Sequence, residues 1–123
     1  MAQDFMVMLP NRPGVLANLS SRMGKAGITI EGISGTQYQD KVVLHLLFDK
    51  EDEASALLRK NKFTIMSTRE VLVVEIVDKP GELGKITQKM ANAEVNIDFV
   101  YLATKSRLVL GVDDPEAAIV ALD

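Results

Sequence analysis

The sequence predicts an α+β chain of two tandem βαββαβ modules, residues 1–69 and 70–123, the second without its last strand. Three observations predict it: an internal repeat, an apolar helical stripe in each copy, and β-rich runs flanking each stripe. Residues 11–34 (NRPGVLANLSSRMGKAGITIEGIS) align without a gap on residues 78–101 (DKPGELGKITQKMANAEVNIDFVY) at an offset of 67. Six of the 24 positions are identical: Pro13/Pro80, Gly14/Gly81, Leu16/Leu83, Met23/Met90, Ala26/Ala93 and Ile30/Ile97. Farther on, residues 44–54 (LHLLFDKEDEA) match 108–118 (LVLGVDDPEAA) at an offset of 64, so the loop between is three residues shorter. Self-similarity at a fixed spacing marks a repeated supersecondary unit.

Each module opens on a continuous apolar run, Phe5–Leu9 and Leu72–Val77 (the latter broken only by Glu75), suited to strands buried on two sides. Pro-Gly follows, and Pro is at home in the first turn of a helix. Leu16, Leu19, Met23 and Ala26 then recur at spacings 3, 4, 3, as do Leu83, Ile86, Met90 and Ala93, one apolar stripe per helix. Lys25-Ala26-Gly27 supplies a glycine stop to the first; Asn92-Ala93-Glu94 is a weaker one. Next come β-rich segments Ile28–Ser34 and Val95–Tyr101, then Val42–Phe48 and Leu108–Val112. A second helix follows in each, Glu51–Lys60 and Pro115–Leu122, and module one closes with a strand at Phe63–Ser67. The order βαββαβ is that of a ferredoxin-like plait, an antiparallel sheet with two helices on one face.

Module two does not finish. Its last strand would fall at 127–131, and the sequence stops at Asp123. Its first strand, Leu72–Val77, would then be a bare apolar edge, an association hazard. A shared strand from module one, an edge from a second chain, or truncation would each answer this, and the expectation is a homodimer. Arg69-Glu70 leaves almost no linker and carries no turn residue.

Composition removes whole classes of function. The absence of Cys excludes disulfide scaffolds, thiolate metal sites and Cys nucleophiles. A net charge of −3 argues against a nucleic-acid binder, and the strands lack the aromatic stacking pairs of an RNA recognition motif. No apolar run approaches the ~18–20 residues of a membrane span, and Met1-Ala2-Gln3-Asp4 is not a signal n-region, so a soluble, cytoplasmic chain is expected. Neither a GxSxG, an HExxH, a P-loop nor a GxGxxG is present, so no enzyme and no cofactor is expected. The charge is uneven: 9 basic and 7 acidic groups in 1–69 give +2, and 5 and 10 in 70–123 give −5. An ordinary acidic surface explains it most simply.

Two loops carry the functional signal. Asn11-Arg12-Pro13-Gly14-Val15-Leu16 with Thr29-Ile30, and Asp78-Lys79-Pro80-Gly81-Glu82-Leu83 with Asn96-Ile97, repeat the pattern D/N-x-P-G-x-L followed by a strand start. This doubled constellation resembles the ACT domain family, small regulatory modules that bind amino acids, and most of all its stand-alone tandem proteins. The resemblance implies a ligand between the loop and the next strand start, at a module interface. The local chemistry agrees: a helix start offers unpaired N–H groups and about half a positive charge to an α-carboxylate. Gly14 and Gly81 allow close backbone approach. Asn11, Asp78 and Asn96 are acceptors for an α-ammonium, placed at or near the same end. Glu82 would repel a carboxylate unless it points away, so unequal sites are expected.

Structural readings stand beside these. Asn/Asp-x-Pro-Gly is also a good helix-start turn, and Asn96 also suits a strand-edge residue bonding to backbone. His45 has no acidic or Cys partner at ligand spacing and reads as a sheet-face residue, so no metal is assigned. Met6, Met8, Met23, Met66 and Met90 read as core fillers, and Glu51-Asp52-Glu53 as helix-start charge. The function expected is therefore a non-catalytic, amino-acid-binding regulatory protein. The alternative is a regulatory subunit or assembly scaffold for a metabolic enzyme, like the acetolactate synthase small subunit, with degenerate sites.

Overall fold

Apolar side chains on alternate positions of two strands, and on one stripe of each of two helices, make the first core. The structure, a computed structural model, describes all 123 residues. Strand β1 (Ala2–Pro10) leads to helix α1 (Val15–Lys25), strands β2 (Ile30–Tyr38) and β3 (Lys41–Phe48), and helix α2 (Glu51–Lys60). Strand β4 (Thr64–Glu75), helix α3 (Glu82–Asn92), strands β5 (Ile97–Ala103) and β6 (Arg107–Val112), and helix α4 (Pro115–Leu122) complete an α+β fold of six strands and four helices. None of these helices is long and apolar enough to cross a membrane.

The chain divides into two compact units, Gln3–Arg69 and Glu70–Asp123 with Met1–Ala2. In the first, β3 lies between β1 and β2, antiparallel to both, with Phe5 opposite Leu46 and Val7 opposite Leu44. Phe5, Val7, Leu9, Leu44, Leu46 and Phe48 point to one face and meet Leu19 and Met23 of α1 and Ala54 and Leu58 of α2. Leu19, Met23, Leu46 and Leu58 are wholly buried, each worth roughly 1.5–3 kcal/mol of apolar burial. In the second unit, β6 lies between β4 and β5. Leu72, Leu108, Leu110 and Val112 cover Met90 of α3 and Ala118 of α4.

Three of the four helices, α1, α2 and α3, stop by one device. Gly27 takes a left-handed φ of 74°, Lys62 of 59° and Glu94 of 57°. The next residue's amide then returns to a carbonyl five residues back: Ile28 to Met23, Phe63 to Leu58 and Val95 to Met90, each at 2.9 Å. This is the Schellman closure, which satisfies carbonyls the helix would leave bare. The weak stop at Asn92-Ala93-Glu94 is thus a full one, reached by forcing Glu94 into a glycine conformation.

Several expectations need correction. Phe63–Ser67 and Leu72–Val77 are not separate strands: β4 runs unbroken for 12 residues from Thr64 to Glu75, through Arg69 and Glu70. Nor is Leu72–Val77 bare. Val71 and Leu72 are buried, Val73 and Val74 half-buried, and of its apolar residues only Val77 stands out at 61% exposure. Met1 and Ala2 line a shallow cleft with Val71–Val74, Ile119 and Leu122, so the start of β1 belongs with that strand. Met66 is no core filler; it is exposed on β4. Leu16 and Leu83, at the first turns of their helices, lie off the buried stripe and are about half exposed. His45 has an acidic partner after all. Its Nδ1 lies 2.8 Å from Oδ2 of Asp4, a carboxylate 1% exposed, because β1 and β3 set Met6 opposite His45 and so put Asp4 diagonally beside it.

Candidate functional site

Each Pro-Gly loop closes on its helix in the same way. Gly14 and Gly81 precede α1 and α3 with φ of 87° and 91°, and neither helix start has a side-chain cap. An added Cβ would meet nothing within 4 Å at either glycine. Glycine is therefore required by the left-handed turn, not by crowding, and no side chain occupies the helix-start amides.

In the Glu70–Asp123 unit this loop forms one wall of a cleft of ≈ 570 Å³. Asp78, Lys79, Gly81 and Leu83 line it from the loop, with Val100, Tyr101, Leu102 and Ser106 from the β5–β6 hairpin. Val100 and Leu102 point to the helix-bearing face of the sheet, opposite Leu110 and Leu108, yet are 45% and 66% exposed. Asp78 is exposed, with no hydrogen-bond or ion-pair partner in the chain. Glu82 does not line the cleft. Its Oε1 lies 3.5 Å from Nζ of Lys79 and 3.2 Å from Nζ of Lys85, so two ammonium groups hold it and its repulsion of a carboxylate is muted.

In the Gln3–Arg69 unit the corresponding loop faces a different neighbour, the corner between α2 and β4. Arg12, Pro13, Gly14 and Val15 line a cleft of ≈ 650 Å³ with Asn18, Lys41, Asn61 and Lys62. Asn11 and Leu16 do not line it. The backbone amide of Asn11 donates to the carbonyl of Asp40 at 3.0 Å, which ties the loop to the β2–β3 turn.

The strand starts lie elsewhere, and this corrects the placement of Asn96 beside Asp78. Within each unit the helix runs back along the sheet, so the next strand begins at the end remote from the loop. Asn96 precedes Ile97, which pairs with Val112, whereas Ser106, at the far end of the hairpin, accepts from the amide of Ile76 beside the loop. Six residues of strand separate those ends, about 20 Å. Thr29 and Ile30 are likewise remote from Asn11–Leu16, at the Phe48 end of β2 rather than the Lys41 end.

These remote positions are engaged in a bracket of their own. The amide of Thr29 donates to Asp49 Oδ1 at 2.8 Å, and the amide of Asp49 to the carbonyl of Thr29 at 3.2 Å. Asn96 and Asp113 repeat the exchange at 3.0 and 3.1 Å. The side chain of Asn96 turns to Oδ1 of Asp98 at 3.0 Å rather than to backbone. Asp49 and Asp113 coincide in the second aligned segment of the repeat, so the repeat extends to individual hydrogen bonds. Val100, Leu102 and Ser106 were missed as cleft residues because only the hairpin register brings them to the loop. So were Asn18, Lys41, Asn61 and Lys62, because only the fold of α2 onto the sheet does so.

No protein-family model and no curated relative matches the sequence. Solved structures do. Protein BT0572 from Bacteroides thetaiotaomicron superposes with a TM-score of 0.88 at 21% identity, over 98% of this chain and 85% of that one. The regulatory subunit of aspartate kinase from Thermus thermophilus, in ligand-free form, gives 0.71 at 20% identity over 98% and 87%. Its counterpart from Thermus flavus gives 0.67 at 20% over 98% and 89%. Identity this low speaks for the fold alone, and what the two Pro-Gly loops resemble, nearly the whole chain shares: this is the ACT fold found in regulatory subunits of aspartate kinase.

Proposed function

We propose that the chain is a non-catalytic regulatory protein of two ACT-like modules, residues 1–69 and 70–123, each built on the plan of a ferredoxin-like plait, and that it senses an amino acid. The cleft of the Glu70–Asp123 unit carries this reading. It sets three chemistries side by side: uncapped helix-start amides after Gly81 for an α-carboxylate, the unpaired Asp78 carboxylate for an α-ammonium, and an apolar wall of Leu83, Val100 and Leu102 for a side chain. Asn96 and Ile97 lie too far from this loop within the unit to share the ligand there. Regulation follows if ligand-bound and ligand-free arrangements differ in affinity for what they control.

Thermal shift and calorimetry of the full chain against the twenty amino acids test it. Ligands with aliphatic side chains should raise the melting temperature in a saturable way, by about 2.7 kcal/mol of stabilisation at a hundredfold excess over Kd. Asp78→Asn should weaken that binding by about tenfold or more, a charge-assisted contact being lost. No saturable response to any amino acid removes the proposal.

The alternative, a regulatory subunit of a metabolic enzyme, is favoured by the likeness to aspartate kinase regulatory subunits. Affinity capture of a metabolic enzyme from native lysate, equally with and without amino acids, would support it over the sensor.

A further inference from the structure

The basic excess of residues 1–69 gathers in one place. Arg12, Lys41 and Lys62 all line the cleft of the Gln3–Arg69 unit, and no carboxylate does. They come from three separate segments: the β1–α1 loop, the start of β3 and the turn after α2. None of the three side chains has a hydrogen-bond or ion-pair partner in the chain. Like charges brought together by folding repel one another, and a carboxylate within reach would have been the simple remedy.

The neutral lining points the same way. Arg22 stands behind the cleft and occupies the carbonyl oxygens of both asparagines that line it, with Nε 3.0 Å from Asn18 Oδ1 and Nη1 2.7 Å from Asn61 Oδ1. With its oxygen bonded to a guanidinium, Asn18 is left with its two amide N–H donors unengaged within the chain. Those of Asn61 are turned to the carbonyl of Leu57 at 2.8 Å. The side chains therefore offer three cations, the Asn18 amide and the Thr64 hydroxyl, and no carboxylate. The helix start is not what distinguishes this cleft, since α3 has the same one. A zwitterion would find no carboxylate here for its ammonium, whereas Asp78 supplies one in the other unit.

We propose that this cleft binds a small dianion, a phosphate group or a dicarboxylate, held by Arg12, Lys41 and Lys62. The occupant differs from the amino acid assigned above, and the site stands whether or not that assignment does. Arg12 offers the planar fork suited to two oxygens of one anionic group, and the lysines serve as point charges beside it.

The test is calorimetry and heteronuclear NMR titration of the full chain with inorganic phosphate and with succinate, at ionic strength held constant by chloride. We expect saturable binding of at least one probe below about 10 mM, with amide shifts at Arg12–Asn18 and Asn61–Thr64. Tighter phosphate binding would assign a phosphoryl ligand, and tighter succinate binding a dicarboxylate. Arg12→Gln should weaken binding by about tenfold, and Arg12→Glu should abolish it. Lys62→Asn, which keeps a residue tolerant of the left-handed turn, should weaken it similarly, and Asp78→Asn should leave it unchanged. Arg12 and Lys62 are exposed, so these variants should fold, and their amide spectra report whether they do. No saturable binding of either probe overturns the proposal. So does binding that Arg12→Gln, Arg12→Glu and Lys62→Asn all leave intact in folded protein.

Discussion

A methyl group at position 111 has nowhere to go. Gly111 pairs with Phe99 across the β5–β6 ladder, and a Cβ there would stand 2.3 Å from the Phe99 ring. The ring occupies the space over the glycine and stacks on Tyr101, with centroids 6.2 Å apart and planes 12° from parallel. Gly111→Ala should therefore cost about 1–3 kcal/mol as the ring is displaced, read from urea denaturation. The double variant Gly111→Ala, Phe99→Ala should be less than additive, because the clash vanishes with the ring. None of this is legible from Gly111 alone: in LVLGVDD it reads as a weak spot in a strand, and only the register shows the ring opposite it. His45 is a parallel case. Its partner Asp4 lies 41 residues away in sequence, where no motif spacing reaches it.

At the scale of elements, the helix ends carry a test of the repeat. Gly27 and Glu94 are equivalent positions with φ of 74° and 57°, one filled by the residue suited to that conformation and one not. Glu94→Gly should stabilise the protein by about 1 kcal/mol, and Gly27→Ala should destabilise it by a similar amount. Thermal and denaturant melts of the two variants would show the opposite signs. The elements themselves were readable where periodicity was strong: α2 and α4 fall at Glu51–Lys60 and Pro115–Leu122 as expected. Strands were misjudged at their ends. β2 continues to Tyr38 because Gly35, Thr36 and Gln37 pair with Leu44, Val43 and Val42, although their side chains carry little strand signal. Ser67–Glu70 is polar, so hydropathy divides β4 in two. Both errors have one cause: a ladder needs backbone amides and a partner, and hydropathy reports neither. The candidate site was half readable. Its loops are written in Pro-Gly, but the positions facing them depend on which end of the sheet each strand begins.

For the whole molecule, two expectations concern assembly and charge. We propose a homodimer, resting on the apolar side chains left exposed in the Glu70–Asp123 unit. Sedimentation equilibrium should then return twice the chain mass of 13.5 kDa. The exposed apolar residues Val77, Leu83, Val100 and Leu102 would supply the surface, and Leu102→Glu should return the single-chain mass, since an isolated charge is costly to bury. A single-chain mass for the unaltered protein at micromolar concentration would contradict the proposal. The uneven charge also gains a location. The +2 of residues 1–69 is a surface average that hides three cations around one cleft, while the acidic excess of 70–123 includes Asp49's counterpart Asp113 and the carboxylates Asp98 and Glu82, all engaged in pairs.

The unbroken course of β4 has a consequence for how such a chain can change over generations. Duplicated sequences usually keep a seam, a stretch where one copy can be lost, swapped or spliced to another gene without harming its neighbour. Here the seam between copies lies inside a strand, at Arg69-Glu70, with six residues of that strand before Glu70 and six from it onward. A crossover at that point would hand each product a severed strand rather than a free-standing module. The pair is thus inherited as one piece, and the two copies are left to diverge in place, as Asn11 and Asp78 have done.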